Sequence, residues 1–401
     1  MKTNLRHLWA AREVARLGTI SAAARSIALS QPAITQALAA LERSFAVLLF
    51  NRTNAGVRPT PAGRLFVERV ERAAMHLHDA LIETTRASSR ETAAQLQRME
   101  RSMTTAQLRT LVAVVEQGSF SQAARAIAVS QPTIHRAARE LEQLVGLALF
   151  ERTSFGVQPT REAQRLARGA KLAFAEIEQA RAELGASYGG ESGRTVIGAM
   201  PLARSFLLPR ALIEFTNEHP RHSISILEGS YENLLAELRG GTVDFLIGAS
   251  RDPLVYKDVV QERLFEDELA IIMRAGHPLA QQRRASVRTL ARYAWIAPRL
   301  KSPLHDHFDA LFSAAAIAPP AATIECNSLD AARSLLLESD RVMLLSVHQI
   351  HYDLKAGLLA ALPHPLGRVM RTIALTVRDG WKPTKVQQQL LTLLRAKAKG
   401  G

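Results

Sequence analysis

The pattern of apolar and polar residues changes along the chain, from a helical period in the first half to alternating strand-like and helical stretches in the second. Between residues 31 and 45, apolar side chains recur at spacings of four, three and four, which puts them on one face of a helix. These positions are Ile34, Leu38, Leu41 and Phe45. The stripe returns one hundred residues later as Ile134, Ala138, Leu141 and Val145. The pattern therefore predicts two equivalent buried helix faces.

The stripes belong to a longer internal repeat. GTISAAARSIALSQPAITQALAALE at 18 to 42 aligns with GSFSQAARAIAVSQPTIHRAARELE at 118 to 142, and LLFNRTNAGVRPT at 48 to 60 aligns with ALFERTSFGVQPT at 148 to 160. Roughly sixty residues are duplicated, which indicates a repeated domain rather than a chance motif. We call residues 1 to 60 copy 1 and residues 101 to 160 copy 2.

Local signals predict the elements of each copy. In copy 1 an amphipathic helix starts near Leu5 and stops at Gly18, Ser21 caps a short second helix, and Ser30 caps a third. Pro32 falls in the first turn of that third helix, where a missing N–H has no cost. Two short apolar strands around Gly56 then predict a β-hairpin. A helix-turn-helix followed by a hairpin wing is expected in each copy.

A long helical stretch follows each hairpin. One runs from Ala62 to about Ala87 and its counterpart from Glu162 to Leu184, each with an apolar stripe that needs a partner helix. The polar stretch from Ser88 to Ser102 is interpreted as a connector that permits pairing within one chain or between chains. We hypothesise that the two helices of one chain pair with each other.

The second half predicts a mostly parallel α/β architecture behind a small-residue hinge at 185 to 193. The first strand set is 195–199, 223–228 and 243–248, with helices at 207–218 and 231–239. The second set is 268–273, 295–297, 323–327 and 342–346, with helices near 304–316 and 328–338. A strand at 371–378 and a helix at 384–398 then complete the chain.

Composition narrows the possible partners. The 401 residues are 47% apolar and carry 51 Lys and Arg against 37 Asp and Glu, a formal charge of +14 that favours a polyanion such as nucleic acid or an anionic membrane surface. The single cysteine, Cys326, excludes an internal disulfide and a multi-cysteine metal site, and is expected to be a small buried hydrophobe. Charges interrupt the N-terminal segment and no apolar run is long enough to span a membrane, so a cytoplasmic protein is expected.

The repeated motifs identify a family. Ala-Ala, Ser-Gln-Pro, Leu-Glu, Leu-Phe-x-Arg and Pro-Thr, in that order, resemble the winged helix-turn-helix of LysR-type transcriptional regulators, here present twice in tandem. The resemblance implies a dimerising linker helix and a two-lobed effector domain like that of type 2 periplasmic binding proteins. The expected domains are a winged helix-turn-helix at 1–62, a linker helix and connector at 63–102, a second winged helix-turn-helix at 103–160, a linker helix and hinge at 161–190, and an effector-binding domain at 191–401. Lobe 1 is expected at about 191–267 and 348–401, and lobe 2 at about 268–347.

The resemblance makes the Ser-Gln-Pro helix of each copy the recognition helix, with wing arginines gripping phosphates. Glutamine suits adenine and arginine suits guanine, whereas phosphate contacts position the protein without reading sequence. The candidate DNA-binding residues of copy 1 are Ser30, Gln31, Pro32, Thr35, Gln36, Arg52, Arg58 and Thr60. Those of copy 2 are Ser130, Gln131, Pro132, Thr133, His135, Arg136, Arg139, Arg152 and Thr160.

The copies are not equivalent. Copy 1 carries eight Lys and Arg against two Asp and Glu, and copy 2 six against four. Copy 1 has Ala46 where copy 2 keeps the family's Gly146, and copy 2 has Ala163 where copy 1 keeps Gly63. Both copies are expected to bind DNA.

The effector site is expected between the lobes, at strand carboxyl ends where helix N-termini present free amides. The candidate contacts are Pro201, Ala203, Arg204, Ser230 and Tyr231 of lobe 1, and Pro298, Asn327 and Ser328 of lobe 2. Arg204 would pair with a carboxylate, so a small carboxylate-bearing or aromatic acid is the expected effector. No cofactor and no metal are expected.

Rival functions fit less of the chain. An enzyme needs an arranged set of acids, bases or ligands, and His305-Asp306-His307 and the pair His348 and His351 match no such spacing. A solute-binding protein explains only the second half and a DNA-architectural protein only the first. We therefore expect an effector-responsive regulator that binds double-stranded DNA as a dimer or tetramer, contacts RNA polymerase if it is an activator, and has no membrane partner.

Overall fold

The computed structural model describes residues 3–53, 56–85, 93–154, 156–187, 193–201, 203–320 and 323–399. The side chains of residues 152, 153, 186, 187 and 204 lie outside that description. Most of the predicted hinge at 185 to 193 also lies outside the described residues.

Copy 1 is a three-helix unit with a hairpin wing, as predicted. Its elements are α1 (Leu5–Leu17), α2 (Ile20–Ser26), α3 (Gln31–Phe45), β1 (Phe50–Thr53) and β2 (Gly56–Pro59), followed by the linker helix α4 (Pro61–Thr85). Gly18 ends α1 in the left-handed conformation with φ 72°, and the Ser30 hydroxyl accepts a hydrogen bond from the N–H of Ala33 at the start of α3. The expected cap at Ser21 is wrong, because Thr19 has the extended backbone of a cap and accepts from the N–H of Ala22.

Copy 2 repeats this layout. The elements are α5 (Ala93–Ser102), α6 (Thr105–Gln117), α7 (Phe120–Ala126), α8 (Gln131–Val145), β3 (Phe150–Thr153) and β4 (Gly156–Pro159), followed by the linker helix α9 (Arg161–Ser187). All eight stripe positions of α3 and α8 are buried, which confirms the predicted faces. The same local sequence signals therefore build both units.

Helix α5 occupies residues 93 to 102 of the stretch interpreted as a polar connector. Its residues are mostly good helix formers, and it presents a short apolar face that buries Leu96. Glu100 is also buried, and its carboxylate lies 3.4 Å from the guanidinium of Arg12 on α1. The described part of the connector, α5, thus packs against copy 1.

The two linker helices of the chain pack along one another. Their buried stripes contribute to a single apolar core shared with both copies, including Phe66 and Leu77 of α4 and Leu166 and Ile177 of α9. Helix α9 also reaches the other copy, because the guanidinium of Arg181 donates to the carbonyl of Ser44 at 2.8 Å. The pairing within one chain that we hypothesised is present in this structure.

Residues 194 to 399 form a two-lobed mixed sheet flanked by helices. The strands are β5 (Arg194–Ala199), β6 (Ser223–Leu227), β7 (Phe245–Ala249), β8 (Val259–Arg274), β9 (Trp295–Ala297), β10 (Thr323–Glu325), β11 (Val342–Ser346), β12 (Leu359–Pro363) and β13 (Met370–Arg378). The helices are α10 (Leu208–Glu218), α11 (Tyr231–Arg239), α12 (Val287–Leu290), α13 (Pro303–Ser313), α14 (Leu329–Leu337), α15 (His351–Lys355) and α16 (Lys385–Lys399), with a π-helical turn at Ala203–Leu207 and a 3₁₀ turn at Val347–Ile350.

Strand β8 joins the lobes. Strands run in the order β10, β9, β11, β8, β13, β7, β5, β6, and β12 pairs with β8 off this path. The first half of β8 pairs with β13 in lobe 1, and its second half pairs with β11 and β12 in lobe 2. The expected return to lobe 1 at about residue 348 is therefore wrong, since the chain stays in lobe 2 through β12. The sequence analysis missed β12, whose Leu-Ala-Ala-Leu-Pro segment has no β-branched residue, and the first half of β8, where charged residues interrupt the apolar pattern.

Candidate nucleic-acid interface and effector cleft

The first turns of the recognition helix of copy 1 present an uncharged polar surface, and the exposed Arg43 lies near the end of the helix. Gln31, Pro32 and Gln36 are exposed and Thr35 is half-buried. Together with Ile20 of α2 they line one open groove. Since the apolar stripe faces the core, these polar side chains lie on the opposite, accessible face of the helix.

The recognition helix of copy 2 presents charged groups at the same level. Gln131, Pro132, Thr133, Arg136 and Arg139 are exposed. His135 is half-buried because its ring packs on Phe120, with 4.2 Å between ring centroids. It is therefore positioned by α7 and is less free than its neighbours to reach a base.

Two threonines proposed as DNA contacts have structural roles instead. The Thr60 side chain is buried, its hydroxyl donates to the carbonyl of Leu48 at 2.7 Å, and it accepts from the N–H of Gly63 at 2.9 Å. Thr160 makes the matching bond with the N–H of Ala163 at 3.1 Å. Both threonines cap the linker helices; the hydroxyl of the buried Thr60 is not available to DNA, and Thr160 is half-buried. Ser30 and Ser130 are also caps, but they stay exposed and their hydroxyls can still donate to a phosphate.

The wings are held by an identical device and differ in charge. In each copy a glutamate of the recognition helix, Glu42 or Glu142, accepts the two N–H groups that lead into the first wing strand. Arg52 and Arg58 of copy 1 are exposed on the wing. The residue of copy 2 in register with Arg58 is Gln158, and the side chain of Arg152 lies outside the described residues.

The wings also sit at different distances from their helices. A methyl group on Gly56 would lie 2.4 Å from the carbonyl oxygen of Gly18, whereas one on Gly156 would lie 3.9 Å from that of Gly118. In copy 1 the N–H of Val57 donates to Gly18 at 2.8 Å, which ties the wing to the end of α1. The wing of copy 1 is therefore packed more tightly than that of copy 2.

A buried ionic cluster, which we call the linker lock, joins α4 to α9. The Arg69 guanidinium lies 2.9 Å from Glu176 and 3.0 Å from Glu183, and Arg72 lies 3.0 Å from Glu176. Arg69 and Glu176 are almost fully buried. Burial alone would raise the pKa of Glu176, but hydrogen bonds from His76, Arg72 and Arg69 lower that pKa to about 2. No sequence pattern pointed to these residues, because they are separated by about a hundred positions.

The linker lock continues into lobe 1. Arg69 donates to the carbonyl of Lys382 at 3.0 Å, Arg72 donates to that of Gly380 at 2.9 Å, and Lys382 pairs with Glu68 at 2.6 Å. A cavity of about 440 Å³ adjoins this junction, lined by arginines and acids from both domains. Several of these charges already pair with each other, as Arg239 does with Asp258 at 2.8 Å. Lobe 1 is therefore bonded directly to the linker pair.

The expected effector residues are only partly available to a ligand. Ala203, Tyr231 and Pro298 are buried, and the Tyr231 ring packs in the lobe 1 core beneath the guanidinium of Arg251. Ser230 and Ser328 cap α11 and α14, Pro201 is half-buried, and Asn327 is exposed. The side chain of Arg204 lies outside the described residues. The strand-end positions were correct as places in the fold, but side-chain direction removes Tyr231 as a ligand contact.

A charged cluster at the lobe crossing was missed. Asp267 of β8 is fully buried, with His348 Nδ1 2.7 Å and Arg371 Nε 2.8 Å from its carboxylate and the Ser346 hydroxyl bonded to it. Burial raises the pKa of Asp267, but these three partners lower it further than burial raises it. The Phe206 ring of lobe 1 contacts the rings of His348 and His351, each at 5.0 Å. Acids interrupting the apolar run of β8 were the available signal.

Other expectations concern metals, catalysis and membranes. Within the described ranges, no group of three or more His, Cys, Asp or Glu side chains is arranged to hold a metal ion. His305 is used locally, with Nδ1 2.9 Å from the carbonyl of Pro298 and Nε2 3.5 Å from Asp309. None of the helices in the described part of the chain has the length and apolar character needed to cross a bilayer.

Comparison with known families gives matches over most of the chain. The family description "LysR substrate binding domain" matches residues 188–399, and "Bacterial regulatory helix-turn-helix protein, lysR family" matches twice, at 5–64 and 105–164. The HTH-type transcriptional regulator GalR of Pseudomonas putida is 32% identical over 392 residues, 98% of this chain and 96% of that protein, so the alignment includes both copies. The uncharacterised HTH-type transcriptional regulator YdcI of Escherichia coli is 31% identical over 258 residues, 64% of this chain and 84% of that protein.

Solved structures support the fold. ArgP from Mycobacterium tuberculosis superposes with a TM-score of 0.57 and 18% identity, covering 73% of this chain and 97% of that one. A full-length OxyR variant from Pseudomonas aeruginosa gives a TM-score of 0.53 and 23% identity, covering 74% of this chain and 95% of that one. At these identities the likeness concerns architecture only.

Proposed function

Because the chain belongs to the LysR family of transcriptional regulators, we propose that a single chain holds two DNA-binding heads in the arrangement that otherwise needs two subunits. The pairing of α4 with α9 carries this proposal. Each linker helix follows one winged helix-turn-helix, and the shared core and the linker lock join the two units. Both recognition helices keep their polar faces exposed.

The proposed DNA contacts fall into two classes. Gln31, Gln36, Gln131, Thr133, Arg136 and Arg139, with the half-buried Thr35, face the major groove and read base edges. Ser30, Ser130, Arg52, Arg58 and Arg152 contact phosphates, and Pro32 and Pro132 bring the first helical turn against the duplex. His135 contacts the DNA from a fixed position, because its ring packs on that of Phe120.

Effector control is proposed to act through the lobes. A small carboxylate or aromatic acid would bind at the cleft edges near Pro201, Ser230, Asn327 and Ser328, where α11 and α14 begin. Lobe 1 is bonded to the linker pair, so closing lobe 2 about the Asp267 crossing would bias the arrangement of the heads or of associated chains. We also propose that the protein acts in the cytoplasm and associates with further copies of itself. If it activates transcription, it contacts RNA polymerase.

Footprinting with mass measurement tests the two-headed arrangement. Full-length protein should protect two half-sites per chain, and Gln31→Ala with Gln36→Ala should remove protection of one of them. Gln131→Ala with Arg136→Ala should remove the other. A complex whose mass gives one half-site per chain, or either double variant leaving both half-sites protected, would contradict the proposal.

The wings provide a matched electrostatic test. Arg58→Gln gives copy 1 the residue that copy 2 has in register, and Gln158→Arg makes the reverse change. Removing one arginine–phosphate interaction should reduce the slope of log affinity against log salt by about 0.9. We therefore expect a shallower slope for Arg58→Gln and a steeper one for Gln158→Arg, measured by fluorescence anisotropy at several salt concentrations. Unchanged slopes in both variants would exclude positions 58 and 158 of the wings as phosphate contacts.

A further inference from the structure

The two recognition helices share a scaffold but present different chemistry at equivalent positions. Both begin with an exposed Gln-Pro after a capping serine, so their first turns match. Beyond that turn the outward residues diverge. The pairs are Ala33 and Thr133, Thr35 and His135, Gln36 and Arg136, Ala39 and Arg139, and Ala40 and Glu140.

The pair Gln36 and Arg136 separates the two heads most clearly. Both side chains are exposed on the face opposite the buried stripe. The glutamine amide has one donor and one acceptor edge, which match N6 and N7 of adenine, whereas the guanidinium has two donors, which match O6 and N7 of guanine. Arg136 is 3.8 Å from Glu140 with its side chain 77% exposed, so this contact is weak and leaves the guanidinium free to turn to a base.

The next helical turn reinforces the difference. Arg139 of copy 2 is exposed and adds a second guanine reader, whereas the Glu140 carboxylate accepts a hydrogen bond from the Gln107 side chain of α6 at 3.4 Å. The equivalent Ala39 and Ala40 are half-buried and offer only methyl groups, which suit the thymine methyl. Between residues 31 and 40 copy 1 thus has an A·T-directed surface and the matching stretch of copy 2 a G·C-directed one, and the exposed Arg43 of copy 1 lies beyond that stretch.

The linker lock determines which linker helices can pair, and therefore which DNA-binding units lie together. Arg69 of α4 faces Glu176 of α9, while the position equivalent to Arg69 in α9 is Gly169, which lies against Ala80 and the backbone of His76. If two α4 helices paired with the same geometry, Arg69 would meet His76 instead of Glu176 and would keep only Glu83, the equivalent of Glu183, as a carboxylate partner. The interface therefore favours one α4 with one α9, and each pair carries one head of each kind.

We propose that the two heads of this protein recognise unlike half-sites, an A·T-rich one read by copy 1 and a guanine-containing one read by Arg136 of copy 2. The bound DNA element is then asymmetric rather than palindromic. This inference rests on the proposed two-headed DNA binding and adds the base preference of each head.

Selection of bound duplexes from a random DNA library, using the full-length protein, tests the inference. The wild-type protein should enrich two dissimilar half-sites, only one of which contains an invariant G·C pair. Arg136→Gln should reduce the preference for guanine at that pair by about tenfold, equivalent to about 1.4 kcal/mol. Gln36→Arg should make the other half-site prefer guanine over adenine.

Arg288→Gln is the matched control, because it removes an exposed arginine of α12 in lobe 2. It should leave the selected sequence unchanged, and all three variants should unfold at the wild-type temperature since each altered side chain is exposed. A palindromic consensus from the wild-type protein, or a guanine preference that survives Arg136→Gln, would overturn the inference while leaving two-headed binding intact. Failure to enrich any sequence would overturn both.

Discussion

Copy 1 and copy 2 have the same fold but different sequences within a single chain. Their caps, buried stripes and wing-anchoring glutamates coincide position by position, although the outward side chains, the end of the recognition helix and the start of the linker differ. The shared features satisfy backbone groups and bury apolar area, which any copy must do to fold. The largest chemical differences lie on the exposed faces of the recognition helices, although Leu38 and Phe45 of the buried stripe are also replaced, by Ala138 and Val145.

The largest expected effect comes from the linker lock, where the equivalents Glu176 and His76 have unequal roles. Glu176→Ala leaves Arg69 and Arg72 without their shared carboxylate, and removal of one partner from a buried pair costs about 3–5 kcal/mol. His76→Ala removes one of the three side chains that hydrogen-bond Glu176 but leaves Arg69 and Arg72 in place, so it should cost only about 1 kcal/mol. Chemical denaturation of both variants measures the contrast, and equal losses of stability would show that the lock is not specific to Glu176.

The Glu176 carboxylate also makes the stability of the paired linker helices depend on pH in the acidic range. The pKa of Glu176 is lowered from 4.5 to about 2 in the folded chain, so its contribution is complete above pH 4.5 and is lost as the pH falls towards 2. A shift of this size corresponds to about 3 kcal/mol. The free energy of unfolding should therefore fall less steeply between pH 5 and pH 2 in Glu176→Ala than in the wild-type chain, as followed by denaturation across that range. Parallel profiles would contradict this assignment.

A smaller effect is expected where each linker helix starts. A methyl group on Gly63 would lie 1.9 Å from the carbonyl oxygen of Leu49, yet copy 2 holds Ala163 fully buried at the equivalent position. Gly63→Ala should destabilise copy 1 by about 1–3 kcal/mol through overpacking. Ala163→Gly should cost only about 0.5–1 kcal/mol, from the added backbone freedom of glycine. Chemical denaturation of both variants measures the two losses of stability. Equal losses would show that the two copies are equivalent at this position.

The features that could be predicted from the sequence are the local ones that the two copies share. Gly18, Ser30 and the stripe ending at Phe45 are local signals, because a cap or a helix face depends on residues a few positions apart. The cap of α2 was predicted at Ser21 instead of Thr19, because both residue types are good caps. Only the backbone angles of the turn distinguish the two positions.

Non-local features escaped prediction for a different reason. The pairing of Arg69 with Glu176 spans 107 positions, and nothing in the spacing of either residue reveals its partner. In the effector domain the strand order placed Tyr231 correctly at the start of α11, but whether its ring faces the cleft or the core depends on packing that no linear pattern contains.

The smallest difference between the copies lies at the end of the recognition helix. Ala46 adopts a left-handed conformation with φ 52°, and the equivalent Gly146 has φ 69°. Only glycine enters this region without steric cost, so Ala46→Gly should raise the free energy of unfolding by about 0.5–1 kcal/mol and Gly146→Ala should lower it by a similar amount. Because both positions are exposed, neither change should alter packing or DNA preference. Denaturation midpoints that move in the same direction for both variants would mean that the helix ends are not equivalent, despite their matching backbone angles.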